Sequence, residues 1–199
     1  NNPTGTWVPG ADLVDFLQQV PITVWVVLDE AYLEYMTSSD YIDGVSLLKE
    51  FPNLILTRTF SKVYGLAAVR LGYGVSSPEF ADLLNRVRQP FNVNALAMAA
   101  AISAIADEEY VRESVEMNRQ GMQQMVAGLV DMGYSYIPSA GNFVSFDCGE
   151  PGPDVFQRLL QQGVIVRPIA EYGLPNHIRV SVGLPSENER FLTTLAKVR

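Results

Sequence analysis

Two short polar motifs contain the residue types that could do chemistry in this chain. Asp29 and Tyr32 belong to the first motif, Asp-Glu-Ala-Tyr, and Lys62 ends the second motif, Arg-Thr-Phe-Ser-Lys, which begins at Arg58. Arg70 follows eight residues after Lys62. A carboxylate, a primary amine and a guanidinium brought together could bind an anionic small molecule that carries an aldehyde and a basic ring nitrogen.

Each motif follows a short apolar run that is rich in β-branched residues. Residues 23–28 precede Asp29, and residues 54–57 precede Arg58. Runs of this kind are typical of strands that are buried on both faces of a parallel sheet. Open α/β sheets bind ligands outside the carboxyl ends of their strands. We therefore predict that Asp29 and Lys62 meet at one edge of a sheet, where they could hold pyridoxal phosphate.

Each of these residue types would have its own task around that cofactor. Lys62 would form a Schiff base, Asp29 would face the pyridinium nitrogen, and Arg70 would bind the phosphate. The hydroxyls of Thr59 and Ser61 suit the same dianion, because each charge-assisted hydrogen bond is worth about 1.5–3 kcal/mol. A lysine after a strand is usually a solvated loop residue, so the prediction depends on the whole set and not on any one member.

Other polar residues lie where either a structural or a functional role is open. Tyr32 and Asn2 could donate hydrogen bonds to the phenolic oxygen of the cofactor, although residues 2–5, Asn-Pro-Thr-Gly, also form an ordinary turn. Arg167 and Arg179 lie at or within predicted strands, where an arginine often faces water. They could instead bind a carboxylate and a second anion.

Predicted helices and strands alternate along the chain, which indicates an α/β fold. Helices are expected over residues 9–20, 41–51, 79–87, 94–106, 107–132, 153–162 and 187–198. Strands are expected over residues 23–28, 54–59, 69–75, 134–137, 143–147, 164–167 and 177–182. In the last third of the chain, this pattern therefore predicts a smaller α/β domain, which the helix after Asn94 joins to the first part.

The composition excludes several classes of function. A net charge of −8 argues against a nucleic-acid partner, and no apolar run approaches the ~20 residues of a membrane span. Cys148 is the only cysteine, which favours a reducing compartment, and His177 is the only histidine, so no metal site is expected. The chain opens on Asn1 without a methionine, which predicts that it is the C-terminal part of a longer protein.

Seven stretches of the chain resemble the fold-type I pyridoxal-phosphate aminotransferases. Within them, the chain is similar to the class II histidinol-phosphate aminotransferase group. The resemblance extends from the first residue nearly to the last. The matching stretches are residues 1–6, 28–32, 58–62, 70–73, 89–94, 141–143 and 177–183.

This resemblance implies an activity, an architecture and an assembly. The activity is pyridoxal-phosphate-dependent transamination of histidinol phosphate with 2-oxoglutarate in histidine biosynthesis, carried out by a cytoplasmic homodimer. Residues 1–94 would form the C-terminal portion of a large cofactor-binding domain with a mixed, mostly parallel sheet. Residues 95–199 would form a linker helix and a small C-terminal α/β domain.

The resemblance also implies a role for each matching residue. Lys62 would bond to the cofactor and shuttle a proton at the substrate, while Asp29 would keep the ring nitrogen protonated. Tyr32 and Asn2 would contact the ring oxygen. The remaining assignments are Thr59, Ser61 and Arg70 for the cofactor phosphate, Arg179 for the substrate α-carboxylate or that of glutamate, with Asn142 close by, and Arg167 for the phosphate of histidinol phosphate.

The chain departs from the family pattern in two respects. Val63 stands where the class II pattern usually has a small residue. The family's N-terminal part, which supplies an aromatic residue that stacks on the ring and a tyrosine donated across the dimer, has no counterpart in this sequence. We therefore expect the chain alone to bind the cofactor weakly and to turn over little or nothing.

Three alternatives share the predicted fold. The substrate could be an aromatic amino acid, or the reaction could be decarboxylation of a phosphothreonine-like compound. Arg167 discriminates against the aromatic substrate, because a phosphorylated substrate should depend on it more strongly than phenylalanine does, whereas CO₂ release would identify the decarboxylase. The third alternative is a non-catalytic aminotransferase-like domain, against which the presence of Lys62, Asp29, Tyr32 and Arg179 argues.

Overall fold

The computed structural model describes residues 1–199 and contains six helices and seven strands. The helices α1 to α6 span Gly10–Gln19, Pro78–Val87, Ala95–Ala106, Glu108–Asp131, Gly152–Gln161 and Pro185–Val198. The strands β1 to β7 span Val26–Asp29, Leu54–Thr59, Gly72–Val75, Tyr136–Ile137, Phe143–Asp147, Arg167–Pro168 and His177–Ser181. No helix combines the length and the apolar character that crossing a membrane would require.

The chain divides into two compact units. One unit is Val8–Arg112, and the other combines Asn1–Trp7 with Glu113–Arg199. The predicted division after residue 94 concerns domains in the full family fold, and it stays a prediction.

A three-stranded mixed sheet organises the unit Val8–Arg112, with the strand order β1-β2-β3. β1 and β2 are parallel, and Asp29 pairs with Thr57. β3 is antiparallel to β2, so that Gly72 lies opposite Thr59. The fold is α/β with a mixed sheet, as predicted. Because β1 and β2 are parallel, their carboxyl ends lie at the same edge of this sheet.

The core of this unit forms where α1 packs on β2. Leu13 and Leu17, on one face of α1, are buried together with Leu54 and Leu56 of β2. The prediction that β1 is buried on both faces is wrong, because Val27 is 60% exposed. In this chain β1 is therefore covered on one face, whereas the first half of β2 is fully buried.

The other unit carries a four-stranded antiparallel sheet with the order β4-β5-β7-β6. Helices α4, α5 and α6 supply the apolar residues that pack against it. Alternation along β7, where Ile178 and Val180 are buried, suits this packing, since one side chain in two faces the helices. The buried cluster contains Met125, Leu129, Val144, Phe146, Val155, Leu159, Val166, Ile178, Val180, Phe191 and Leu195.

Several predicted elements are shorter than expected, including the strand expected over 134–137, which is the two-residue β4. The helix expected over 41–51 is only a 3₁₀ turn at Gly44–Leu47, whose first turn is capped by the Asp43 carboxylate. The strand expected over 69–75 begins at Gly72, because a 3₁₀ turn and a left-handed residue, Arg70, precede it. The strand expected over 164–167 is the two-residue β6, displaced toward Pro168.

Candidate functional site

A cavity of about 360 Å³ lies at the carboxyl edge of β1 and β2. This volume falls within the ~300–1,000 Å³ typical of small-molecule sites. The lining residues are Asp29, Ala31, Thr57, Arg58, Thr59, Ser61, Lys62, Ala67 and Arg70. Five of them were predicted as site residues from the sequence. The structure therefore brings these five together, while the role of each stays a prediction.

Asp29 is the last residue of β1, and its carboxylate is held by the chain that follows it. The Oδ1 atom accepts a hydrogen bond from the backbone N–H of Ala31 at 3.1 Å. Asp29 is exposed at the sheet edge. A positioned, accessible carboxylate can accept a hydrogen bond from a protonated ring nitrogen without first having to be uncovered.

Hydroxyl and guanidinium groups lie together at the end of β2. Thr59 Oγ1 accepts a hydrogen bond from the Ser61 N–H at 3.0 Å, which folds the loop after β2 into a tight turn. Arg70 Nη1 lies 3.5 Å from Ser61 Oγ and donates to the Ala67 carbonyl at 2.8 Å. Two hydroxyls beside an exposed guanidinium form a donor set that suits a phosphate dianion.

Lys62 is placed by its neighbours in the loop. Phe60 and Val63 on either side are buried, with 6% and 2% exposure, so the backbone carrying the lysine is anchored in the unit. The Lys62 Nζ lies 5.1 Å from the centroid of the Tyr32 ring, within cation–π range. Val63, the departure from the family pattern, therefore serves as a packing residue.

Glycine is required at one position of this loop. Gly65 has a φ of +68°, and a Cβ there would lie 3.0 Å from the hydroxyl oxygen of Tyr110. Both the backbone conformation and the available space therefore exclude a larger residue without rearrangement.

Two charged residues beside the cavity, Glu30 and Arg58, were not predicted as site residues. Arg58 lines the cavity, and its Nε donates to Glu30 Oε2 at 2.9 Å. Its Nη2 lies 2.8 Å from the same oxygen and 2.6 Å from Asp43 Oδ1. Glu30 belongs to the first motif and Arg58 to the second. The two residues are 28 positions apart, so their contact cannot be inferred from the spacing in the sequence.

Burial and charge act in opposite directions on Arg58. Burial lowers the pKa of its guanidinium, but the hydrogen bond and the charge of Glu30, with the charge of Asp43, outweigh it and raise the pKa above its ordinary value. Burial also raises the pKa of Tyr41, and the hydrogen bond that its hydroxyl donates to Glu30 raises it further. Arg58 therefore stays charged and Tyr41 stays neutral throughout the physiological pH range.

The predicted substrate residues belong to the other unit. Arg179, in β7, donates a hydrogen bond from Nη1 to Asn2 Oδ1, and its guanidinium carbon lies 5.2 Å from the centroid of the Phe143 ring. Asn142 precedes β5, and its carbonyl accepts a hydrogen bond from the Val182 N–H at 2.9 Å. Asn2, predicted as a cofactor contact, is thus tied to a predicted substrate residue.

Arg167 is the direct cross-strand partner of Arg179 in the β6–β7 pair. Its Nη2 donates to Glu171 Oε1 at 2.9 Å, and both side chains of this ion pair are exposed. Like charges directly opposite each other in a sheet are unfavourable, so neither arginine is explained by sheet stability alone.

Comparison with known proteins gives concordant results. The family model for aminotransferase class I and II matches residues 1–195. Histidinol-phosphate aminotransferase 2 of Pseudomonas fluorescens (strain Pf0-1) is 60% identical over 198 residues, and the protein of the same name from Pseudomonas aeruginosa is 55% identical over 199 residues. The crystal structure of histidinol-phosphate aminotransferase from Sinorhizobium meliloti in complex with pyridoxal-5'-phosphate has a TM-score of 0.90 and 36% identity.

The fold is that of the class I and II aminotransferases. The chain belongs to the class I and II aminotransferase family. The matches with the two Pseudomonas proteins cover all of the chain, and the match with the Sinorhizobium structure covers 99% of it. It spans about half the length of the relatives it matches, namely 54% of each Pseudomonas protein and 55% of the Sinorhizobium chain.

Proposed function

We propose that this chain is part of a pyridoxal-phosphate-dependent aminotransferase that transfers an amino group between histidinol phosphate and 2-oxoglutarate in histidine biosynthesis. The observation that carries the proposal is the convergence of Asp29, Thr59, Ser61, Lys62 and Arg70 on one cavity. Membership of the aminotransferase family and the names of the similar proteins support the same reaction. When bound, pyridoxal phosphate supplies an aldehyde and a ring that accepts electron density from the substrate.

The residues around the cavity have different roles, which follow from their charges. Asp29 faces the ring nitrogen and holds a proton there, because a carboxylate stabilises the cationic form. Arg70, with the hydroxyls of Thr59 and Ser61, binds the phosphate. Lys62 would hold the cofactor through its side-chain amine, and the free amine would take up the proton that leaves the substrate α-carbon. Tyr32, beside the Lys62 ammonium, orients this amine.

Arg179 and Arg167 provide anion recognition in the proposal. Arg179 binds the α-carboxylate of glutamate or 2-oxoglutarate, because histidinol phosphate has no carboxylate, and its hydrogen bond to Asn2 and its position over Phe143 hold the guanidinium in place. Asn142 lies next to Phe143 in the chain and contacts the same substrate. Arg167 binds the phosphate of histidinol phosphate. In doing so, its guanidinium leaves the exposed ion pair with Glu171.

The first experiment is an absorbance titration with pyridoxal phosphate of the longest natural polypeptide that contains this chain. A visible band that borohydride converts into a stable adduct on Lys62 is the expected result. Lys62→Ala should lose both the band and the adduct. Lys49→Ala, which changes the lysine in the segment before β2, is the matched control and should retain both. Absence of the band from the unaltered protein would contradict the proposal.

Substrate choice is tested by comparing histidinol phosphate with phenylalanine as amino donors. Arg167→Gln should reduce kcat/KM for histidinol phosphate by about tenfold or more, since a charge-assisted hydrogen bond is lost, and should change that for phenylalanine little. Equal losses for both donors would contradict the role of Arg167 in binding the substrate phosphate. Release of CO₂ from a phosphothreonine-like substrate would instead indicate a decarboxylase.

A cytoplasmic homodimer is part of the same proposal. Cys148 is a free thiol, which suits a reducing compartment. Several large apolar side chains are exposed on this chain, including Phe91 at 97% and Leu96 at 81%. Exposed apolar groups of this size are typical of surfaces that another chain or segment covers. Sedimentation velocity and cell fractionation test these two statements.

A further inference from the structure

We propose that Glu30 is a positioning residue of the candidate site. Through Arg58, it fixes the end of β1, which carries Asp29, against the end of β2, which leads to Thr59 and Lys62. This inference rests on the proposed function for the meaning of the site, and the experiment below separates the failure of one from the failure of the other.

The Glu30 carboxylate is buried and fully used as an acceptor. Its side chain is 2% exposed. Oε1 accepts hydrogen bonds from the Tyr41 hydroxyl at 2.7 Å and from the Gly44 N–H at 2.9 Å, and Oε2 accepts from Arg58. A buried carboxylate with this many donors has its charge compensated and its orientation defined from several directions.

Gly44 is part of the same arrangement. A Cβ at this position would lie 2.9 Å from Glu30 Oε1 and 2.5 Å from Leu56 Cδ2. Only a residue without a side chain lets the backbone N–H approach the carboxylate this closely. The 3₁₀ turn at Gly44–Leu47 thus serves to complete the surroundings of Glu30.

Arg58 connects three segments of the unit. It lies in β2, contacts Glu30 directly after β1, and reaches Asp43 in the turn before Gly44. The Asp43 carboxylate in turn accepts a hydrogen bond from the Val45 N–H at 2.9 Å. Arginine suits this task because its planar fork of donors can hold two carboxylates in a defined geometry, which a lysine cannot do.

Glu30, Arg58 and Asp43 form an ionic cluster, and residues next to it in the chain line the cavity. Glu30 is adjacent to Asp29, and Arg58 is adjacent to Thr59, so a shift of either strand end moves a predicted cofactor contact. The backbone adds one bond at this level, from the Glu30 N–H to the Thr57 carbonyl at 2.9 Å. The cluster is therefore the side-chain connection that sets the spacing of the two strand ends.

A purely stabilising role is the alternative. Apolar residues often stabilise a buried site as well as an ion pair does, so burial alone does not explain a cluster of charges here. Directional contacts define position as well as energy. If Glu30 only stabilises the unit, any substitution that lowers stability should change the geometry around Asp29 and Thr59. If Glu30 positions the strand ends, a destabilising substitution elsewhere should leave that geometry unchanged.

Two backbone amides report that geometry without any cofactor. The Ala31 N–H donates to Asp29 Oδ1, and the Ser61 N–H donates to Thr59 Oγ1. In ¹H–¹⁵N spectra of the whole chain, Glu30→Gln should shift both resonances, because the amide replaces one acceptor oxygen by a donor facing Tyr41 or Arg58. In the same variant, the Kd for pyridoxal phosphate should rise by about tenfold, the lower end of what loss of an orienting partner costs at other sites.

Two variants of the same unit serve as controls. Leu17→Ala lowers stability from the apolar core and should leave the Ala31 and Ser61 resonances in place. Asp43→Asn changes the second carboxylate that pairs with Arg58. The Asp43 side chain is 53% exposed, so this variant should cause smaller shifts than Glu30→Gln. Equal effects of Leu17→Ala and Glu30→Gln on the two amides would overturn the proposal.

Tyr41→Phe covers the case in which Glu30→Gln does not fold. This variant removes one donor to the carboxylate and should shift the same two amides by less and in the same direction. A folded Glu30→Gln or Tyr41→Phe protein with the Ser61 resonance unmoved would overturn the inference, whereas the Ala31 resonance is diagnostic only in Tyr41→Phe, since Ala31 directly follows residue 30. If the amides move while the unaltered protein binds no pyridoxal phosphate, the positioning role stands and the proposed function fails.

Discussion

At the scale of single residues, the candidate site combines accessible and anchored groups. Asp29 and Arg70 are exposed to a ligand, whereas the chain on both sides of Lys62 is buried through Phe60 and Val63. The reactive groups can therefore meet a ligand from solvent while their backbone stays fixed. This separation of exposed function from buried support allows individual side chains to be tested without unfolding the unit.

Arg70 should contribute to phosphate binding through its charge and not through its backbone. Its φ of +58° lies in the left-handed region, which asparagine tolerates better than alanine does, so Arg70→Asn is the suitable variant. We expect the Kd for pyridoxal phosphate, measured by absorbance titration, to rise by about ten- to a hundredfold. Arg86→Asn, at an exposed arginine paired with Asp82, is the control and should leave the Kd unchanged. Equal losses would contradict the assignment.

Cys148 should be an unreactive thiol in the folded protein. Burial, followed by the charges of Asp147 and Glu150, raises the pKa of Cys148 to about 12. The thiol form is therefore favoured in the folded state, and this contribution to stability is complete at neutral pH and lost as the pH rises from the ordinary thiol pKa toward 12. At pH 8, reaction with Ellman's reagent should be at least about a hundredfold slower than in urea. A native rate that matches the unfolded rate would contradict this expectation.

At the scale of elements, the close approach of helix and strand ends determines which residues are tolerated. Helix α4 contains Gly121, which is buried. A Cβ at Gly121 would lie 2.5 Å from Val182 Cγ1 and 3.3 Å from the Gly183 carbonyl oxygen. The glycine lets the helix approach the segment after β7 more closely than any other residue would. Helix propensity and packing therefore oppose each other at this position.

Gly121→Ala should lower stability, although alanine is the better helix former. Overpacking costs about 1–3 kcal/mol and exceeds the gain of about 1 kcal/mol in helix propensity. Thermal and urea unfolding should show this decrease in the free energy of unfolding. Gln123→Ala, at an exposed position of the same helix, should leave it unchanged or slightly raised. An increase in stability with Gly121→Ala would show that Val182 moves aside without cost.

At the scale of the whole molecule, the residues that line the cavity and the predicted substrate residues belong to different compact units. Asp29, Thr59, Ser61, Lys62 and Arg70 belong to Val8–Arg112, and the predicted substrate residues belong to the other unit. The proposed reaction therefore requires both units in one functional protein. The chain spans 54% of the length of its Pseudomonas relatives, so its own capacity for binding is a separate question.

The 199-residue chain alone should bind pyridoxal phosphate more weakly than a full-length member of the family. In this chain Asp29 and Arg70 are exposed, and charges in contact with water interact more weakly than charges in a closed site. We expect a Kd at least about tenfold higher, with little or no transamination of histidinol phosphate. Parallel titrations and coupled assays on the chain and on a full-length relative measure both quantities. Turnover of the chain at the rate of the relative would contradict this expectation.

The sequence alone determined that seven strands are present and that the reactive residues of the candidate site lie at or just after the ends of β1 and β2. Local periodicity reports burial, and polar residues after an apolar run mark the end of a strand. Asp29 and Lys62 were therefore assigned to one edge before their distance was known. The family motifs supported the same residues because their types and spacing are specific.

Only the tertiary structure decided which side chains meet across that edge. The pairing of Glu30 with Arg58 depends on the parallel register of β1 and β2, and the position of Arg70 depends on a left-handed residue after a 3₁₀ turn. Neither follows from local pattern, because register and loop conformation are set by the packing of segments distant in the chain. For the same reason, exposure of Val27 and the shortness of the 3₁₀ turn at Gly44–Leu47 became known only from the folded unit.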